Sequence, residues 1–267
     1  MGAFLDHGRL ARFSTGEFLA TRPFPFVGFD RLLREDAFAT LLAEFPDRAL
    51  FTWHGGIDRV HGQRPHNRWY LAYESARYDE YSERPGGVAR RADLPPVWAE
   101  FIDELTTDPD YLAMISTCLG RPVFETRFAW HLGVDGSEVS PHVDDHNKAG
   151  THIFYFNTDD DWRPEWGGRT EVLSGKTTVS NAPNFDDFAE AVTVPLTGNA
   201  SFFFRNQPDA WHGVRALHCP EHRVRRLFNV IYEHPGGAPP FEPAPASRSG
   251  ADRPSLSARV RSVLRSR

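Results

Sequence analysis

From residue 124 onward the chain is a succession of short apolar runs separated by Gly, Asp, Asn and Pro: FETRFAWHL, EVSPHVD, THIFYFN, RTEVLS, AVTVPL, ASFFFRN, WHGVRAL and RRLFNVIYE. Each run has strand length and is rich in β-branched and aromatic residues, and the separators are turn formers. Eight such strands predict two sheets packed face to face as a jelly roll. Upstream the period changes. EDAFATLLAEF (35–45), PPVWAEFIDEL (95–105) and PDYLAMISTCL (109–119) place apolar residues at helical intervals. The last two carry proline near the first turn, and the last is closed by Gly120. FPFV (24–27) and RWYLAYE (68–74) have strand character. The predicted fold class is mainly β with flanking N-terminal helices (α+β), built on a double-stranded β-helix, or jelly-roll, core.

This pattern divides the chain into three zones: 1–120, a helical and covering region packed on the core; 121–235, the jelly-roll core; and 236–267. The third begins with HPGGAPPFEPAPASRSGAD at its margin, whose Pro, Gly, Ala and Ser cannot bury enough apolar surface to order themselves. It ends in RPSLSARVRSVLRSR, a basic stretch able to form a weak amphipathic helix and touch a partner or an anionic surface. Its apolar stripe is only a few residues wide, which favours a solvated tail.

Composition narrows the function class. With 267 residues, 40% of them hydrophobic, the chain can bury a substantial core. A net charge of -6, with basic residues scattered among acidic ones, provides no general attraction for nucleic acid, and none is expected as a partner. The two cysteines, Cys118 and Cys219, have no CxxC spacing, so neither a disulfide framework nor a thiolate zinc site is indicated. A reducing, cytoplasmic compartment fits. The start MGAFLDHGRL lacks a basic segment followed by a sustained apolar one, and no window approaches the roughly 20 apolar residues of a membrane span. We expect a soluble, unexported protein.

The chemistry lies in the all-β half. Alternate residues of a strand face one way, so His142 and Asp144 of PHVDD would present an imidazole and a carboxylate together. Asp145 would face the opposite side. A third ligand from the distant WHGV segment, His212, would complete a two-histidine, one-carboxylate face that leaves positions open on iron(II). With twelve histidines in the chain, an HxD spacing is expected by chance and decides nothing by itself. Its place at a strand end, and the text around it, decide more.

That text resembles the prolyl-hydroxylase-like branch of the iron(II)/2-oxoglutarate dioxygenases. PHVD, IFYFN, DWRPEWGG, SFFF, WHGV and RLFNVIY appear in the family's order between about Thr126 and Glu233. The resemblance implies a catalytic jelly roll that binds Fe(2+) through His142, Asp144 and His212, with 2-oxoglutarate and O2 as co-substrates. It also implies that 2-oxoglutarate is anchored by the basic residue opening the last strand. Arg226 opens RLFNVIY and is taken as that anchor, with Arg223 and Arg225 as competitors. Tyr155 matches the family tyrosine that supports the same carboxylate, the other reading being an ordinary sheet aromatic. Asn157 reads as a strand-end turn former. The implied reaction converts 2-oxoglutarate to succinate and carbon dioxide while hydroxylating an unactivated C–H bond. Family halogenases replace the carboxylate ligand by a small residue, so Asp144 argues for hydroxylation.

His131, His146 and His152 read as core, surface or supporting histidines outside the metal shell. The segment 51–91 holds Trp53, His54, His61, Arg64, His66, Arg68, Trp69, Tyr70 and Tyr73. That mixture suits either a grip on an anionic, partly apolar small molecule or peptide, or the packing of helices on the sheet. Two other classes compete. A cupin-type metalloenzyme would share the ligands without needing the arginine, and a noncatalytic oxygenase-fold binding protein would be expected to lose a ligand.

Overall fold

Alternation along RRLFNVIYE gives one sheet two different faces. In the computed structural model, which describes residues 2–56, 64–74, 87–122, 124–239 and 241, the first elements are α1 (His7–Arg12), α2 (Thr15–Ala20), β1 (Phe26–Asp30) and α3 (Glu35–Ala43). Then come β2 (Thr52–His54), β3 (Arg68–Tyr73), β4 (Val88–Ala89), α4 (Pro96–Thr107) and α5 (Pro109–Leu119). The remaining strands are β5 (Glu125–Gly133), β6 (Val139–His142), β7 (Lys148–Tyr155) and β8 (Thr170–Lys176), followed by β9 (Phe188–Val194), β10 (Ala200–Arg205), β11 (His212–Val214) and β12 (Arg225–Glu233).

The larger sheet runs β1-β10-β7-β12-β5-β3-β2, with β4 parallel to β3, and the smaller runs β6-β11-β8-β9. Together they form the jelly roll. All eight strands expected from residue 124 onward are present. The first 120 residues supply more than helices: β1 pairs with β10, and β3 with β5, so both edges of the larger sheet are built from them.

Residues of one parity face the helices. Phe128, Trp130, Phe154, Phe203 and Phe228 are buried against Phe18 of α2, Phe38 of α3, Trp98 and Phe101 of α4, and Tyr111 and Ile115 of α5. Burying a side chain of this size contributes on the order of 1.5–3 kcal/mol, which is enough to fix the helices on the sheet. Their ends are specified locally. Asp108 caps α5 by accepting from the Tyr111 N–H, Pro109 occupies its first turn, and Gly120 closes it at φ 76°. The opposite parity faces the smaller sheet, where Phe24, Phe26, Phe202, Phe204, Val172 and Val214 form a second core. Part of that inner space is left as a cavity. Among the described residues no helix is long and apolar enough to cross a membrane.

Candidate active site

His142 ends β6 and His212 begins β11, and the two are directly opposed in an antiparallel pair. Pro141 is tolerated beside His142 because β6 is the edge of the smaller sheet. The two imidazoles lie with centroids 4.3 Å apart. Each is oriented by its own backbone: His142 Nδ1 is 3.0 Å from the Ser140 carbonyl oxygen, and His212 Nδ1 is 2.9 Å from that of Ala210. An Nδ1–H donated to a carbonyl leaves Nε2 as the lone-pair donor on both rings. Asp144 follows in the loop after β6. One ligand atom from each of the three side chains lies within 4.8 Å of the others, and all three residues are buried. This donor set, two nitrogens and one carboxylate, fits ferrous iron.

Neighbours missed in the sequence hold the carboxylate. Lys148 Nζ donates to Asp144 Oδ1 at 2.8 Å, and the Thr151 hydroxyl donates to Oδ2 at 3.3 Å. The loop backbone is pinned by Asn206, whose Nδ2 donates to the carbonyls of Asp145 and Lys148, each at 2.9 Å. Burial alone would raise the Asp144 carboxyl. The Lys148 ammonium and the two imidazoles outweigh that effect and hold it well below the usual carboxylate range. Because residues 143–147 lie outside any strand, strand parity does not govern them. Asp145, expected to face away, lines the same cavity.

The cavity encloses about 380 Å³. At its end beside β8 the cavity is lined by Arg225 and not by Arg226, the arginine expected there. β12 begins at Arg225, so Arg225 faces inward and lines the cavity, whereas Arg226 points to the other side of the sheet and pairs with Asp161. The register is set from β7. The Asn157 side chain accepts the Arg226 N–H at 2.7 Å and donates to the Val224 carbonyl at 3.0 Å. Asn157 is therefore a clamp on the head of β12. Arg225 is 5% exposed, its Nε donates to the Gly168 carbonyl at 2.7 Å, and its guanidinium stands 5.3 Å from the centre of the Tyr155 ring. Burial works against its charge and lowers its pKa, with Tyr155 partly offsetting the effect. Tyr155 is buried beneath that guanidinium, its hydroxyl 2.7 Å from Thr170 Oγ1. Arg223 stacks near Trp166 instead, 5.8 Å from its ring centre.

Of the other histidines, His131 lines the cavity, His146 sits beside Asp145, and His152 faces the helices. In the segment 51–91, parity reconciles both readings. His54, His66, Arg68 and Tyr70 line the cavity, while Trp69, Leu71 and Tyr73 belong to the core under the helices. His61, and the tail apart from 236–239 and 241, lie outside the described residues.

Residues 127–232 match the family model described as the 2OG-Fe(II) oxygenase superfamily. No curated protein matches the chain in sequence. Among solved structures, the chain is similar to a prolyl-4-hydroxylase from Pseudomonas putida, at 17% identity and TM-score 0.50, covering 81% of this chain and 95% of that one. A prolyl 4-hydroxylase from Phytophthora capsici is similar at 16% identity and TM-score 0.54, over 87% of this chain and 66% of that one. A non-heme alpha ketoglutarate dependent epimerase from nogalamycin biosynthesis is similar at 18% identity and TM-score 0.51, over 91% and 97%. At these identities the likeness is one of fold.

Proposed function

We propose that the chain is a member of the 2OG-Fe(II) oxygenase superfamily, whose model residues 127–232 match, and that it hydroxylates an unactivated C–H bond of an amino-acid-like, peptide or other small-molecule substrate. Enzymes of this superfamily use Fe(2+), with 2-oxoglutarate and O2 as co-substrates. The observation that carries the reading is the convergence of two buried imidazoles and a buried carboxylate in a cavity that also holds a buried guanidinium.

In this reading His142 and His212 give Nε2, and Asp144 gives a carboxylate oxygen, to the iron. The bound metal supplies oxidative decarboxylation of 2-oxoglutarate to succinate and carbon dioxide, coupled to hydroxylation. The chain's own work is positioning. The Ser140 and Ala210 carbonyls fix the two rings, and Lys148 and Thr151 fix the carboxylate. Arg225 receives the distal carboxylate of 2-oxoglutarate in a charge-assisted pair, and Tyr155 beneath it keeps the guanidinium in place. Phe204, Val214, Leu217 and Leu227 line the same cavity and keep water from the reacting groups. An aspartate at position 144 favours hydroxylation over halogenation. Cys118 and Cys219, both buried and free, accord with a reducing, cytoplasmic setting.

The test is succinate formation from 2-oxoglutarate with iron(II) against a panel of amino acids, peptides and small metabolites. Asp144→Ala should abolish iron-dependent turnover, because the one carboxylate of the trio is lost. Unchanged product formation would refute the ligand assignment. Oxidation of substrate by the wild type without 2-oxoglutarate would move the protein to the cupin-type alternative.

A further inference from the structure

Beyond β12 the cavity continues away from the Arg225 guanidinium. Arg225 leans toward β7, over Tyr155, whereas the inner face of β5, β3 and β2 carries His131, Tyr70, Arg68 and His54. Three of these rings form a ladder. His54 stacks on Tyr70 with centroids 4.8 Å apart, and Tyr70 lies 5.2 Å from His131. Arg68 Nη1 is 2.8 Å from His66 Nδ1, and the His66 ring meets the His142 ring edge-on with centroids 4.8 Å apart. One imidazole thus separates a cavity-lining guanidinium from a proposed iron ligand.

His131 completes the picture. It is 9% exposed, and its Nε2 has no hydrogen-bond partner among the described residues. Burial first, then Coulombic effects led by the Arg68 guanidinium, push its pKa well below the ordinary imidazole value. It is therefore a neutral ring, with an unfilled nitrogen, at a point where basic side chains converge. An apolar group seated there would leave Nε2 unsatisfied, and a cationic group would be repelled. A carboxylate satisfies both demands, since it accepts from His131 when the neutral ring carries its proton on Nε2, accepts from a guanidinium in two parallel bonds, and carries the complementary charge.

Resting on the oxygenase reading above, we propose that the primary substrate is a small carboxylic acid, bound with its carboxylate against Arg68 and His131 on the wall formed by β3 and β5. The C–H bond presented to the iron then lies within a few bonds of that acid group. Arg225 and Arg68 divide the labour: the first serves the co-substrate and the second the substrate. Gly133 stands between them in the sheet, opposite Arg225, and has no side chain to intrude.

The experiment uses the full chain with iron(II) and 2-oxoglutarate. Free and N-acetylated L-amino acids, each paired with its carboxamide, are the probes. Binding is read anaerobically from the visible absorption of the iron–2-oxoglutarate complex, and turnover from succinate release in air. The expected result is that one or more acids bind and speed succinate release at least tenfold, while their carboxamides do not. For the best acid, Arg68→Gln should raise KM at least tenfold and leave the 2-oxoglutarate dissociation constant within about twofold. Equal response to acids and carboxamides, or response to neither, overturns the proposal. So does an Arg68→Gln variant that loses 2-oxoglutarate and keeps the KM for the acid, because Arg68 would then belong to the co-substrate. If the variant does not fold, as read by its thermal melt, the acid–carboxamide comparison on the wild type decides. The slow succinate formation and the absorption seen without any acid report on the oxygenase reading separately. Their presence with no preference for acids sinks the substrate class alone, and their absence sinks both.

Discussion

Two adjacent arginines at the head of β12 are sent to opposite sides of the sheet by one step of strand parity. Arg225 is buried and cavity-facing, while Arg226 is half-buried and tied to Asp161 on the other side of the sheet. Arg225→Leu should raise the KM for 2-oxoglutarate at least tenfold, since a hydrogen bond to a charged group contributes about 1.5–3 kcal/mol and tenfold corresponds to about 1.4. Arg226→Leu should leave that KM within about twofold and cost at most about 1 kcal/mol of stability, as expected for a solvent-screened pair. Parallel titrations of 2-oxoglutarate against both variants check this, and the reverse outcome would restore Arg226 as the anchor. The metal-ligand candidates were legible because imidazole and carboxylate announce their chemistry at any register. Which arginine faces the cavity was not legible, because RVRR offers three guanidinium groups, and the register that turns Arg225 inward is held by Asn157, from another strand, accepting the Arg226 N–H.

At the scale of elements, the shortest strand of the site is the most constrained. β11 spans three residues, yet it pairs with both β6 and β8 and must present His212 opposite His142. Gly213 permits this. A Cβ there would stand 2.8 Å from the Val139 carbonyl oxygen and 3.0 Å from the Phe185 ring. Gly213→Ala should therefore push β11 off β6, costing about 1–3 kcal/mol and lowering Tm by several degrees. It should also weaken iron binding more than 2-oxoglutarate binding, because Arg225 sits on a different sheet. A melt and an iron titration matching the wild type would show that β11 has slack. The longer elements were readable from their own residues: α4 and α5 through proline starts and apolar spacing, β5 and β12 through runs of nine residues. α1 and α2 escaped because six residues carry too little periodicity. In the structure their first turns are capped by Asp6, accepting from the Arg9 N–H, and by Ser14, accepting from that of Glu17. β2 and β4 are strands only because β3 pairs with them, and no local signal encodes that.

For the molecule as a whole, the larger sheet separates the cavity from a mostly apolar layer under the helices, and His152 is a titratable group buried in that layer. It is fully buried between α5, β10 and β12. Its Nδ1 is 2.9 Å from the Tyr111 hydroxyl and its Nε2 is 3.0 Å from that of Ser201, and the Tyr111 hydroxyl in turn meets that of Tyr232 at 2.8 Å. Phe29, Phe154 and Phe203 pack around the ring. Burial lowers its pKa from 6.5 to about 3. The sign follows from proton uptake. Above pH 6.5 the ring is neutral in both folded and unfolded chains, and its contribution is fully present. Between 6.5 and about 3 the unfolded chain takes up a proton that the folded one refuses, so stability falls as the pH falls, by about 1.4 kcal/mol per pH unit for this one site. His152→Gln keeps a polar side chain and removes the titration. Urea unfolding of both proteins, at pH 7.5 and pH 5 with the same iron and 2-oxoglutarate, should show the variant losing about 2 kcal/mol less than the wild type across that interval. His131 is shifted in the same direction but is common to both proteins, so it cancels from the difference. Equal losses in the two would mean that the apolar layer admits a charged imidazole, and that the sheet is not the barrier between water and core that its packing implies.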